Sequence, residues 1–144
     1  MRVVPCWIVL ACLAGCAPTP SGGPACEVGG GDDEFVALED GDAVTIYAGP
    51  QGGFHVNTSA RCTGLNPDAW VVRATATYPD GEFLGGGAAW SGAPSDEGGA
   101  FVAVGLRNLV DDPASVRDQE ILLRIDVEDS QGLSATDELA VLAE

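Results

Sequence analysis

Between residues 69 and 78 every second side chain is apolar or aromatic, and residues 120–127 repeat this pattern. In the second segment Ile121, Leu123, Ile125 and Val127 fall on one face, and polar side chains such as Arg124 fall on the other. A period of two is the period of a β-strand that buries one face. The chain is therefore expected to form sheets rather than a helical bundle.

Further short segments with strand character are separated by residues that favour turns, and the chain contains 20 glycines and 9 prolines. We expect strands near residues 34–39, 43–48, 54–60, 82–90, 100–106 and 133–142, and a connection at 111–118 with room for one helical turn. Seven or eight short strands without a long amphipathic helix predict an all-β fold, an antiparallel two-sheet sandwich. A barrel is the alternative.

The end of the chain carries a resemblance to known domains. Residues 125–129, followed by the turn and residues 132–136, are similar to the closing hairpin of immunoglobulin-like domains of the cadherin and polycystic-kidney-disease-repeat type. This resemblance implies an immunoglobulin-like sandwich. No cysteine follows Trp70, so the chain departs from the antibody pattern.

The first residues have the composition of an export signal, with Arg2 followed by an apolar run and then small residues before Cys16. The junction Leu13-Ala14-Gly15-Cys16 resembles the lipobox of bacterial lipoproteins. The resemblance implies a signal peptide at 1–15 and a lipid on Cys16 that anchors the chain to the membrane. Ala17, in place of the aspartate that retains enterobacterial lipoproteins at the inner membrane, favours the outer membrane; which face the domain occupies stays open.

Residues 16–33 are rich in proline, glycine and acidic residues, which predicts a flexible tether before a sandwich domain at 34–144. Of five cysteines, Cys6 and Cys12 leave with the leader and Cys16 carries the lipid. Cys26 and Cys62 remain, and in an oxidising compartment we expect them to form a disulfide. Two free thiols or a metal site are the alternatives.

Charge limits the function classes, because 22 acidic and 6 basic residues give a net charge of -16. Nucleic acid is therefore not an expected partner, since phosphate binding depends on Lys and Arg. The sequence has no Gly-x-Ser-x-Gly motif, and no enzyme activity is expected. The leading hypothesis is a non-catalytic binding or structural module of the cell envelope. One alternative is a calcium-dependent adhesive module, with the acidic clusters at residues 32–34, 111–112 and 126–129 as candidate ligands. Another is a small hydrolase that uses carboxylates.

The turn at residues 49–56, Gly-Pro-Gln-Gly-Gly-Phe-His-Val, resembles a segment of uncharacterised predicted lipoproteins of myxobacteria and related high-GC bacteria. The resemblance implies localisation and a sandwich fold but no activity. The first interpretation is a structural turn. The functional interpretation is that Gln51, His55 and Arg61 line a surface for an envelope protein or polysaccharide. His55 is the only histidine, and neither a metal site nor a cofactor is expected.

Overall fold

The computed structural model describes residues 22–144 of the chain. The signal peptide predicted at residues 1–15 and the lipidation predicted at Cys16 lie outside this range. Within it, no helix has the length and apolar character needed to cross a membrane.

Eleven β-strands and one short helix make up the described domain. In chain order they are β1 (Ala25–Gly30), β2 (Val36–Ala37), β3 (Ala43–Val44), β4 (Tyr47–Ala48), β5 (Phe54–Thr63), β6 (Trp70–Thr77), β7 (Ala88–Gly92), β8 (Ser95–Glu97), β9 (Ala100–Val110), α1 (Pro113–Val116), β10 (Glu120–Asp129) and β11 (Ser134–Ala143).

The strands form two sheets that face each other across one core. The first sheet has the order β2-β1-β5-β9-β8. Strand β9 pairs with one edge of β5, and on the other edge β4 pairs with the beginning of β5 and β1 with its end. The second sheet has the order β3-β11-β10-β6-β7. The predicted all-β, immunoglobulin-like sandwich is confirmed. Its strands pair antiparallel except at the two-residue strand β3, which pairs with β11 in parallel.

The core consists of the inward rows that the period of two predicts. Trp70 and the inward-facing apolar residues of β10 (Ile121, Leu123, Ile125 and Val127) are buried almost completely. The indole Nε1 of Trp70 donates to the backbone carbonyl of Asn66 at 2.8 Å, so the one polar atom of this large ring is paired. Each fully buried Ile or Leu side chain contributes about 1.5–3 kcal/mol, so these rows are the main source of stability.

Strand β1 corrects the predicted domain boundary. Residues 16–33 were expected to form a tether, but Ala25–Gly30 pairs with β5 inside the first sheet. Cys26 lies directly opposite Cys62, and the expected disulfide joins them. The N–H of Val28 also donates to the Asp137 carboxylate at 2.8 Å. These distant partners order a glycine-rich segment whose composition predicts a spacer, and the folded domain begins at Ala25 rather than at residue 34.

Two further segments differ from the expected strands. The strand predicted at 43–48 is divided, because β3 joins the second sheet while β4 forms a hairpin with β5. The segment 82–90 forms a regular strand only from Ala88 onwards. Its glycines let it run against β9, since a Cβ on Gly85 would lie 2.5 Å from the carbonyl oxygen of Leu109. A helical turn, α1, does occupy the connection before β10, capped by the Asp112 side chain.

Candidate functional site

The outer face of the first sheet carries a row of large side chains across β4, β5 and β9. Tyr47 is paired with His55, and His55 is paired with Leu109, so the three side chains lie side by side on one face. The rings of Tyr47 and His55 are stacked, with centroids 5.8 Å apart and 25° between their planes. Tyr47 is 47% exposed and Leu109 is 52% exposed. This row is an apolar platform open to solvent.

The next row along the same face is polar. Asn57, two residues after His55 on β5, is paired with Arg107 on β9. The Arg107 guanidinium forms an ion pair with Asp32 at 3.4 Å, and both side chains are about half exposed. Asp32 belongs to the turn between β1 and β2, which therefore folds over the face of the sheet. The platform consequently has a donor and an acceptor of opposite charge beside it.

A β-bulge positions this turn. The register between β5 and β9 shifts after Thr58, where β9 holds one extra residue at Gly105. Gly105 has φ +71°, and a Cβ there would lie 2.6 Å from the backbone oxygen of Asp32. The Gly105 N–H donates to the Ser59 hydroxyl at 3.2 Å, and that hydroxyl donates to the Gly31 carbonyl at 3.3 Å. Glycine is required here both by its positive φ and by the close approach of the turn.

Asn57 is a buried polar residue whose amide oxygen lacks a partner. It points to the outer face but is only 5% exposed, and it lines a hollow together with Gly31, Thr45 and Tyr47. Its Oδ1 is fully buried and accepts no hydrogen bond. The buried Asn108 on the neighbouring strand differs, since its Nδ2 donates to Thr58 at 2.7 Å and its Oδ1 accepts from the Ala88 N–H at 3.3 Å. Buried polar atoms in proteins are nearly always paired, so Asn57 is an exception that needs a reason.

These residues line a cleft with a volume of about 250 Å³, which we call the Tyr47 cleft. It is defined by Asp32, Tyr47, Pro50, His55, Asn57 and Arg107. A second hollow of about 180 Å³ adjoins it and shares Tyr47 and Asn57. The second hollow lies where β1 and β4 diverge. Within residues 22–144, no strand pairs with this edge of β5 between His55 and Ser59. The gap in the sheet makes the site concave.

The protonation state of His55 follows from its surroundings. Burial lowers the pKa of the imidazole, the nearby Arg107 guanidinium lowers the pKa further, and Asp32 opposes both effects. Because the ordinary pKa of histidine is already below 7, the ring is neutral at neutral pH. It therefore offers one donor nitrogen and one acceptor nitrogen and supports the Tyr47 ring without adding charge.

Of the three predicted binding residues, the structure places one in the cleft. His55 lines it, whereas Gln51 is exposed at the tip of the 49–53 turn, in which the Gly49 N–H donates to the Gly53 carbonyl at 2.7 Å. Arg61 lies about 20 Å from His55 along β5. It forms an ion pair with Glu27 at 2.7 Å, and its guanidinium lies 4.5 Å from the centre of the Phe35 ring.

Sequence reasoning missed Tyr47, Asn57 and Arg107 and considered Asp32 only within an acidic cluster for calcium. A sequence indication for Asn57 was the run of polar residues from Asn57 to Ser59 inside a strand with apolar neighbours. The structure buries all three residues of that run.

The acidic residues considered for calcium have other roles. The Asp129 carboxylate accepts hydrogen bonds from the backbone N–H groups of Asn66 and Gln131 at 2.8 Å and of Leu133 at 2.9 Å. These bonds, with the one from Asn66 first, lower its pKa although burial opposes them. Asp126 accepts from Arg124, which lowers its pKa most, and from the Thr136 hydroxyl. In the described part of the chain, no group of three or more His, Cys, Asp or Glu side chains is placed to hold a metal ion.

Comparison with known proteins gives little. No family model matches the chain, and no curated protein matches it. Among solved structures, the chain is similar to the CooA pilin subunit from enterotoxigenic Escherichia coli, with a TM-score of 0.35 and 14% identity over 82% of this chain and 97% of that chain.

Proposed function

We propose that this chain is a lipid-anchored, non-catalytic binding module of the bacterial cell envelope, and that it binds its partner in the Tyr47 cleft. The shape and lining of the Tyr47 cleft carry the proposal, because a concave site places an exposed aromatic ring beside an ion pair. An aromatic surface with a few convergent polar groups that orient a ligand is typical of a binding site.

The chemistry of the described residues supports binding over catalysis. The thiols of Cys26 and Cys62 are joined in a disulfide, so neither is a nucleophile. A hydrolase that uses carboxylates needs a carboxyl group with a raised pKa to act as an acid. In Asp126 and Asp129, hydrogen bonds from Arg124 and from backbone N–H groups lower the pKa instead.

The sequence supports the anchor. The lipobox before Cys16 implies cleavage there, and residues 17–24 then connect the lipid to β1. A lipid with two or three acyl chains holds a protein on a membrane, whereas one chain alone binds only marginally. A module held in this way meets partners that belong to the envelope, either a protein or a polysaccharide.

Labelling in cells tests the anchor. The full-length chain is produced in a Gram-negative host with radioactive palmitate, and the cells are separated into membrane and soluble fractions. We expect label on the wild-type chain and on the control variant Cys12→Ser, and none on Cys16→Ser. Label on Cys16→Ser, or a wild-type chain without label, would contradict the proposal.

Ligand-dependent stabilisation tests the binding site. The full-length protein in detergent is melted alone, with glycan fragments released from envelopes, and with a mixture of blocked peptides. A ligand of the folded state raises the melting temperature by mass action. We expect the ligand not to raise the melting temperature of Tyr47→Ala. It should still raise that of Phe83→Ala, which removes an exposed ring outside the cleft. The binding proposal fails if neither mixture raises the melting temperature, or if Tyr47→Ala responds like the wild type.

A further inference from the structure

We infer that the ligand of the Tyr47 cleft is a neutral saccharide, and this inference rests on the proposed binding function. The cleft combines a solvent-exposed aromatic ring with a compensated pair of charges. The ring favours a ligand with an apolar face, and the ion pair disfavours a charged ligand.

The platform suits a ring-shaped ligand with an apolar face. Tyr47 stacks on His55, which holds its ring in place, yet Tyr47 remains 47% exposed. A pyranose ring presents a face of C–H groups that packs on an aromatic ring, while its hydroxyl groups point outward from its edge. A rigid, pre-oriented Tyr loses little conformational freedom when it makes such a contact.

The polar groups suit hydroxyls. Asp32 accepts hydrogen bonds and Arg107 donates them. An anionic ligand has to replace Asp32 on Arg107, and a cationic ligand has to replace Arg107 on Asp32. A hydroxyl group is both donor and acceptor, so neighbouring hydroxyls of one sugar can bond to both members of the pair without separating them.

The charge of the whole chain points the same way. With a net charge of -16, the protein repels polyanions, and the cleft has a single Arg that is already paired with an acid. Acidic polysaccharides are therefore disfavoured relative to neutral ones. The volume of about 250 Å³ is below the range of about 300–1,000 Å³ typical of sites for drug-sized ligands. The cleft accordingly holds one sugar residue, with neighbouring residues of the saccharide outside it.

Nuclear magnetic resonance of the isotope-labelled full-length protein in micelles tests the inference. The probes are the neutral trisaccharides cellotriose, maltotriose and tri-N-acetylchitotriose, the acidic trigalacturonate, and an acetylated and amidated Ala-Gly-Ala peptide. We expect a neutral trisaccharide to give saturable shifts of the backbone amides of Tyr47 and His55 and of the side-chain amide of Asn57. Trigalacturonate should bind at least about tenfold more weakly, because of its charge.

Two variants separate binding from folding. Tyr47→Ala should weaken the affinity for the neutral trisaccharide by about tenfold or more, which corresponds to about 1.4 kcal/mol. Phe83→Ala should leave this affinity unchanged. If the peptide shifts the same signals and no saccharide does, the saccharide inference is overturned and the proposed binding function stays intact. Tighter binding of trigalacturonate than of every neutral sugar would also overturn the inference. If no probe shifts these signals, the saccharide inference falls, and the peptide and glycan melts decide the binding function separately.

Discussion

Replacing Asn57 with leucine should stabilise the unliganded protein. The substitution keeps a side chain of similar size and removes the Oδ1 that is buried without a partner. Most substitutions of buried residues destabilise, so an increase in stability would be an unusual result with one specific cause. It would show that the asparagine is present for a purpose other than the stability of the fold.

The expected magnitude comes from two opposed effects. Leaving a buried acceptor unpaired costs about 1–3 kcal/mol, and this cost disappears in Asn57→Leu. Fitting a side chain of different shape into an existing space costs less than about 1.5 kcal/mol. The net expectation is a gain of about 1 kcal/mol in the free energy of unfolding. For a domain of this size that gain corresponds to a melting temperature about 4 °C higher.

Asn108→Leu is the matched control, since Asn108 is equally buried on the adjacent strand but has both side-chain atoms paired. That substitution leaves the Thr58 hydroxyl and the Ala88 N–H without their partner and should cost about 2–4 kcal/mol. Urea denaturation of the wild type and both variants measures the three free energies. If Asn57→Leu destabilises as much as Asn108→Leu, the Asn57 carbonyl has a partner, such as an ordered water, and the reasoning is refuted.

Two further perturbations test other parts of the domain. The Cys26–Cys62 disulfide closes a separation of 36 residues, and reducing it should lower the free energy of unfolding by about 4 kcal/mol. Urea denaturation measures this loss, and the same reductant should not change the free energy of unfolding of a Cys26→Ala/Cys62→Ala variant. A loss below about 1 kcal/mol would mean that the reduced, unfolded chain already keeps these residues together. Asp129 has a folded-state pKa below its ordinary value, so its stabilising effect is complete above about pH 4 and is lost as the pH falls through the lowered pKa. Asp129→Asn should therefore be less stable than the wild type at pH 7, and the difference between their urea midpoints should shrink below pH 4, whereas Asp68→Asn should show no such difference. An equal difference at pH 7 and pH 3 would contradict this assignment.

The fold was predictable where local pattern and tertiary environment agree. The rows in β6 and β10 alternate strictly, and the structure buries the predicted faces. Strand β1 was not predictable, because Gly29, Gly30 and Gly31 have the composition of a spacer and are ordered by partners far away in the sequence. The division of residues 43–48 between two sheets likewise depends on pairing with the last strand, which no local pattern reports.

The cleft was predictable only at His55, which attracts notice as the one histidine after a glycine-rich turn. Asn57 and Arg107 are fifty residues apart, and their proximity follows from the register of β5 with β9. Asp32 reaches Arg107 only because Gly105 admits the turn. Arg61 was expected near His55 because the two are close in sequence, but an extended strand separates residues by about 3.4 Å per position.

The pairing of β1 with β5 also determines how far the cleft stands from the membrane in the lipid-anchored form that we propose. Ala25, where the domain begins, is opposite Thr63, whereas His55 is near the other end of β5. About 27 Å of rigid strand therefore separates the attachment point from the cleft. That distance exceeds the screening length of about 8 Å at physiological ionic strength, so the charge of the lipid headgroups has little influence on what the cleft binds.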